Sequence, residues 1–181
     1  MSAAVPGAVP VPTLSAHLVA PTAASMRRLG SALASVLRAG DLVLLTGDLG
    51  AGKTTLAAGI GAGLGVRGAV TSPTFVIARE HPPLGQGPWL VHVDAYRLGG
   101  LAEVEGLDLE ASLDEAVTLV EWGTGLVEQL AADRLEVLIG RSSGLTGGHD
   151  EGAQDRRTVE LRGFGHRWVG ADLSVLEQAC C

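Results

Sequence analysis

The apolar positions of this chain follow two alternating patterns. Over residues 22–39, Met26, Leu29, Leu33, Val36 and Leu37 fall on one helical face, with polar and small residues on the other. That stripe predicts an amphipathic helix, with Thr22 capping its start and Gly40 ending it. Residues 42–46 are instead apolar almost without a break, the mark of a parallel strand buried on both faces. A helix over residues 54–64 follows a glycine-rich loop. Strands are expected at 14–19, 75–80, 89–93, 117–120, 135–139 and 158–161. Pro82, Pro83, Gly85, Gly87 and Pro88 mark a turn between the 75–80 and 89–93 strands. Residues 124–132 read as a short helix, and the acidic stretch 101–115 as helical in part. Strands alternating with helices make this an α/β domain with a mixed, mostly parallel sheet, and the closely spaced late strands predict an antiparallel edge.

Length and composition bound the reading. With 181 residues, 46% hydrophobic and 18% charged, the chain suits one ordinary domain with a real core. Residues 1–13, rich in Pro and Ala, read as a disordered leader, 14–162 as the domain, and 163–181 as a C-terminal tail holding a final helix. No apolar run approaches the roughly 18 residues that span a bilayer, so no membrane association is expected. Cys180 and Cys181 are adjacent and cannot staple a fold, which points to a reducing, cytoplasmic location. A net charge of −7 argues against a free-standing, charge-driven nucleic-acid binder. The arginines Arg156, Arg157, Arg162 and Arg167 read as an accident of composition rather than an RNA-binding patch.

Lysine usage sharpens the picture. Lys53 is the only lysine in the chain, and it sits in GDLGAGKTT. Gly47, Asp48, Leu49, Gly50, Ala51, Gly52, Lys53 and Thr54 match G-x-x-x-x-G-K-[ST], with Thr55 next, between a buried strand and a helix. Glycines let the backbone curl so that successive N–H groups point at phosphate oxygens, and the helix N-terminus adds its positive end. In that cradle Lys53 reaches the β and γ phosphates and the Thr54 hydroxyl ligates Mg²⁺.

Phosphoryl chemistry also needs a carboxylate at a strand end. Asp94 ends the run Leu90, Val91, His92, Val93, and Glu121 ends the run Val117, Thr118, Leu119, Val120. Both acids are expected at the carboxyl edge of the sheet beside the phosphate loop, and at least one serves the metal. Asn is absent and there is no second lysine, so the guanine-reading Asn-Lys-x-Asp motif cannot be built. ATP is the expected nucleotide. His92, inside a strand, reads as a half-buried sheet histidine without a catalytic role, and no zinc-ligand spacing is found among the histidines. Trp122, next to Glu121, faces either the nucleotide, a partner or the core.

In order along the chain, GDLGAGKTT from Gly47, TSPTF from Thr71, HVDAYRL from His92 and VEWG from Val120 resemble the bacterial TsaE (YjeE) P-loop ATPases. EVEGLDLE from Glu103 is similar as well, and the likeness covers roughly residues 22–161. The resemblance implies a P-loop NTPase-like three-layer α/β domain. It implies an ATPase, weak alone, that works in threonylcarbamoyladenosine modification of tRNA next to the anticodon. Its implied partners are TsaB-type and TsaD-type proteins, with tRNA met only indirectly or within that complex. It further implies that Thr54 and Glu121 bind Mg²⁺, that Asp94 belongs to the catalytic centre with Lys53 and Glu121, and that Ser72, Pro73, Thr74 and Phe75 form a switch loop. Tyr96, Arg97 and Trp122 would sit at the catalytic edge or a partner surface. Family members place a Thr near the position of Met26 on the adenine side. Only Ser25 is close to it here, so that contact is not carried over, while Arg156 or Arg157 is placed to reach a nucleotide.

Two other readings of the same motifs stay open. A P-loop small-molecule kinase would need an arginine-rich lid, which the sequence does not display. A nucleotide-gated binding module would need the phosphate loop but not the two strand-end acids.

Overall fold

The computed structural model describes residues 10–73, 78–97, 114–125, 127–128, 131–141 and 156–180. Seven strands are present: β1 (Leu14–Ala20), β2 (Leu42–Thr46), β3 (Ala78–His81), β4 (Trp89–Asp94), β5 (Ala116–Glu121), β6 (Arg134–Arg141) and β7 (Arg157–Phe164). Among the described residues three α-helices accompany them: α1 (Ala23–Ala34), α2 (Lys53–Leu64) and α3 (Ser174–Ala179). The strands form one sheet in the order β1-β7-β6-β2-β5-β4-β3. The central four, β6, β2, β5 and β4, run parallel. The flanking strands β7, β1 and β3 pair antiparallel to their neighbours, and for β6 and β7 the late-strand spacing predicts it.

Strand β2 shows why the middle of the sheet is apolar throughout. Val43 and Leu45 join Met26, Leu29 and Leu33 of α1 and Leu56 and Ile60 of α2 in one buried cluster. Leu42 and Leu44 point the other way, into a cluster with Val91, Val93, Val120 and Val127. A strand covered on both faces has no polar side to alternate with.

Helices α1 and α2 lie in backbone contact. A Cβ added at Gly59 would meet the Arg27 backbone, with its Cα at 3.0 Å, and one added at Gly63 would lie 2.6 Å from the Ala34 Cβ. This close crossing sets the start of α1 against the phosphate loop. Thr22 caps α1 as expected, in a reciprocal box with Ser25. The helix stops at Ala34, short of the predicted 39, because local polar groups compete for the backbone. The Ser35 hydroxyl donates to the Ala32 carbonyl at 2.7 Å, and the Asp41 carboxylate takes the Arg38 N–H at 2.9 Å.

Strand β7 runs on to Phe164, and Trp168 and Leu176 beyond it are buried in the main core. Arg167 fastens this segment. Its Nε and Nη2 each lie 2.9 Å from an oxygen of Asp41, and Nη2 also donates to the Val36 carbonyl at 2.7 Å. The predicted helix at 124–132 falls partly outside the described residues, as do most of the acidic 101–115 stretch and the polar 141–155 loop. Among the described residues no helix is long and apolar enough to cross a membrane.

Candidate functional site

The phosphate loop leaves the carboxyl end of β2 and feeds α2 through Gly52, whose φ of 112° is a left-handed conformation that favours glycine. No side chain caps α2, so its first N–H groups stay available to an anion. Parallel pairing of β4 with β5 puts Asp94 directly across from Glu121. Glu121 also stands level with Leu45, at the end of β2. The two predicted acids therefore emerge side by side, next to the cradle.

A cavity of about 540 Å³ opens there, within the range that takes a nucleotide. Lys53, Thr54, Thr55, Ser72, Asp94, Tyr96, Glu121 and Trp122 all line it. Thr54 Oγ1 donates to Glu121, 3.0 Å from Oε1 and 3.2 Å from Oε2. Ser72 Oγ donates to Asp94 Oδ2 at 3.2 Å, while Asp94 Oδ1 accepts the Tyr96 N–H at 3.1 Å. The first residue of the expected switch segment thus touches one of the acids. Pro73 follows it, and Thr74 and Phe75 lie outside the described residues. Arg97 ends the short turn Ala95–Arg97 after β4.

Lys53 is turned back on its own loop. Its Nζ donates to the Gly47 carbonyl at 2.7 Å and to the Asp48 carbonyl at 3.0 Å. Trp122 covers it, with Nζ 3.9 Å from the ring centroid, a cation–π contact. Burial pushes the Lys53 ammonium below the ordinary lysine range, and Glu121, Asp94 and Asp48 pull the other way. Trp122 has a φ of 61°, the single positive value among the described non-glycine residues. Such a backbone costs on the order of 1 kcal/mol and is kept where it aims a side chain. Here it aims the indole into the cavity, where it meets Tyr96 edge-on at 5.3 Å. Trp122 thus lines the cavity rather than the core.

Two carboxylates facing an anion cradle would repel a polyphosphate unless a cation lay between them. The oxygens present, from Thr54, Ser72, Asp94 and Glu121, suit a hard divalent ion. Among the described residues no three or more His, Cys, Asp or Glu are grouped to hold a metal.

Sequence reasoning missed the parts of His92 and Arg141, and placed Arg157 toward the nucleotide rather than on the loop backbone. His92 is fully buried, not half-buried, and its Nε2 lies 2.9 Å from Glu121 Oε1. Its sequence signal was the two-residue step to Asp94, which puts both on one face of β4. Arg141 Nη2 donates to the Leu49 carbonyl at 3.1 Å, and Arg157 Nε to the Ala51 carbonyl at 3.0 Å, so the β6–β7 hairpin braces the loop from outside. Arg157 also lines a cavity of about 80 Å³ with Thr22, Met26 and Thr55. Ser25 spends its hydroxyl on the Thr22 cap. Arg162 pairs with Glu160 at 2.7 Å and Arg167 with Asp41, so these arginines serve the fold rather than form one basic patch.

The family model for the threonylcarbamoyl adenosine biosynthesis protein TsaE matches residues 20–146, from before α1 through β6. The chain belongs to the TsaE family. Its members include a tRNA threonylcarbamoyladenosine biosynthesis protein TsaE of Streptomyces coelicolor, 62% identical over 152 residues, 83% of this chain and 99% of that one. The TsaE of Bacillus subtilis is 38% identical over 135 residues, 75% of this chain and 77% of that one. The crystal structure of Bacillus subtilis YdiB superposes with a TM-score of 0.64 at 29% identity, covering 92% of this chain and 94% of that one. The family assignment places this chain in tRNA threonylcarbamoyladenosine biosynthesis, and the matched segment contains every candidate residue from Gly47 to Trp122.

Proposed function

We propose that this chain is a Mg²⁺-dependent ATP-binding and ATP-hydrolysing subunit required for the threonylcarbamoyladenosine modification of tRNA next to the anticodon, acting with TsaB-type and TsaD-type partners and meeting tRNA only within that complex. The observation that carries the reading is the Thr54 hydroxyl on both oxygens of Glu121, beside Lys53 and across from Asp94. A loop Thr joined to a strand-end carboxylate is the pairing that holds Mg²⁺ on a nucleotide.

In this reading Thr54 and Glu121 hold Mg²⁺, which, when bound, neutralises charge on the β and γ phosphates. The α2 N-terminus and the loop N–H groups bind the phosphates. Lys53 exchanges the Gly47 and Asp48 carbonyls for phosphate oxygens. Asp94, steadied by Ser72 and the Tyr96 N–H, orients the attacking water. Its contact with Ser72 gives the nucleotide state a handle on the switch segment.

Among the described residues no arginine lines the main cavity. Phosphoryl transfer gains much of its rate from such a charge. In this reading turnover is slow alone and is completed by a partner's charge.

The test is Mg²⁺-dependent ATP hydrolysis by wild type and Lys53→Ala, alone and with TsaB-type and TsaD-type proteins. Slow turnover that rises in the complex and vanishes in Lys53→Ala supports the proposal. Fast turnover indifferent to the partners refutes it, and a phosphorylated small-molecule product would make the chain a kinase. Unaltered function of Asp94→Ala and Glu121→Ala, with nucleotide still bound, would make it a gated binding module.

A further inference from the structure

We infer that His92 is a positioning residue for the metal site: it fixes the Glu121 carboxylate by donating a hydrogen bond to Oε1, and so sets the site's affinity for a divalent cation. The inference rests on the proposed role of Glu121 as a Mg²⁺ ligand.

Both partners are out of solvent, with side-chain exposures of 0% for His92 and 4% for Glu121, and their Nε2 to Oε1 distance is 2.9 Å. The sheet fixes the approach. His92 stands level with Leu119, two residues before Glu121 on the same face of β5, so the imidazole reaches along the sheet to the carboxylate from beneath. Thr54, on the first turn of α2, donates to both oxygens of the same carboxylate.

The hydrogen-bond inventory assigns the proton. An ionised carboxylate only accepts, so Nε2 carries the hydrogen and donates. Nδ1 is buried and has no hydrogen-bond partner among the described residues. A bare ring nitrogen tolerates that better than a buried N–H, which would lose a bond it made to water. The other tautomer would set a lone pair against Oε1 and bury an unsatisfied N–H. The burial on one side and the carboxylate on the other therefore lock a single tautomer.

The consequence is directional. With Oε1 held by His92, and Thr54 reaching both Oε1 and Oε2, the carboxylate keeps one orientation toward a cation. Without the donor, Glu121 is free to rotate, and the same residues would hold a cation more weakly. Partners of this kind behind a metal ligand are worth about 10- to 100-fold in metal affinity.

The experiment is Mn²⁺ binding in the presence of ADP, followed by electron paramagnetic resonance of the free ion. It compares wild type, His92→Leu, His92→Gln and His92→Asn, each also tested for ADP binding in EDTA and for thermal unfolding. Glutamine sets an amide N–H near the place of Nε2, asparagine is too short, and leucine fills the space without a donor. The expected result is weaker Mn²⁺ binding by about 10- to 100-fold in His92→Leu and His92→Asn, near wild-type binding in His92→Gln, and metal-free ADP affinity unchanged throughout. Wild-type Mn²⁺ affinity in a folded His92→Leu overturns the inference, because His92 would then only fill space. Equal loss in His92→Gln and His92→Asn overturns it too, and this pair decides the matter if His92→Leu does not fold. Absence of ADP-dependent Mn²⁺ binding in wild type removes the metal role of Glu121, and this inference with it. Metal binding in wild type with no effect of His92 removes the inference alone.

Discussion

Lys53→Met replaces a buried ammonium by an apolar side chain of similar length. Lys53 is 5% exposed yet borders the open cavity, so its charge is only partly stripped of water. Against that stand hydrogen bonds to the Gly47 and Asp48 carbonyls at 2.7 and 3.0 Å and the Trp122 ring at 3.9 Å. Bonds from a charged donor contribute about 1.5 to 3 kcal/mol each at best, and a cation–π contact about 1 kcal/mol. Removing an ammonium from water costs several kcal/mol. The terms nearly cancel, and the lowered pKa of Lys53 gives the sign: burial outweighs the attraction of Glu121, Asp94 and Asp48. Asp48 is exposed, so water takes up its carbonyl when the lysine is gone. Lys53→Met is therefore expected to keep the stability of the nucleotide-free protein or raise it by up to about 1 kcal/mol, some 2–4 °C in Tm for a chain of this size. Nucleotide binding should be lost. Scanning calorimetry without nucleotide and titration calorimetry with ADP read the two effects separately. The native state binds fewer protons than the unfolded chain at pH values below 10.5 and down to the lowered native pKa. Wild-type stability relative to Lys53→Met should therefore rise as pH climbs through that window. A fall in Tm of more than about 6 °C in Lys53→Met would refute the reasoning, because the ammonium would then be a net source of stability.

Gly59→Ala forces a Cβ against the Arg27 backbone, with Cα and C both at 3.0 Å, so α1 has to move off α2. A loss of about 1–3 kcal/mol in urea unfolding is expected, and wild-type stability would contradict the backbone contact. Arg167→Ala strands the Asp41 carboxylate, 4% exposed, with only the Arg38 N–H at 2.9 Å. The expected cost is about 3–5 kcal/mol, and Arg167→Lys should recover little, because one ammonium cannot match the two-pronged contact. Full recovery by lysine in thermal unfolding would show that charge alone matters. Burial lowers the pKa of His81 below 6.5, so the native state binds fewer protons there and stability should fall as pH drops below 6.5. Thermal unfolding between about pH 7 and pH 5 should show a shallower fall in His81→Leu, and parallel curves would exclude His81 as the cause.

What the sequence disclosed depended on how local each signal is. The phosphate loop was legible because its chemistry lies in contiguous residues, Gly47 to Thr54, between a strand and a helix that announce themselves. Asp94 and Glu121 were legible as strand ends, since an apolar run closing on an acid fixes where the side chain emerges. Their common place beside the loop was legible too, but not that they face each other, which depends on the register that sets Asp94 across from Glu121. The early end of α1 escaped for a related reason. The apolar stripe continues through Val36 and Leu37, and Leu37 is still buried, but Ser35 and Asp41 capture the backbone first. Periodicity reports which residues seek the core, not which conformation brings them there. His92 is the sharpest case. Alone in a strand it reads as packing, and its partner lies on another strand. The same register that joins the two acids also brings an imidazole beneath one of them, so the support of the site is written in pairings between strands and not in any one motif.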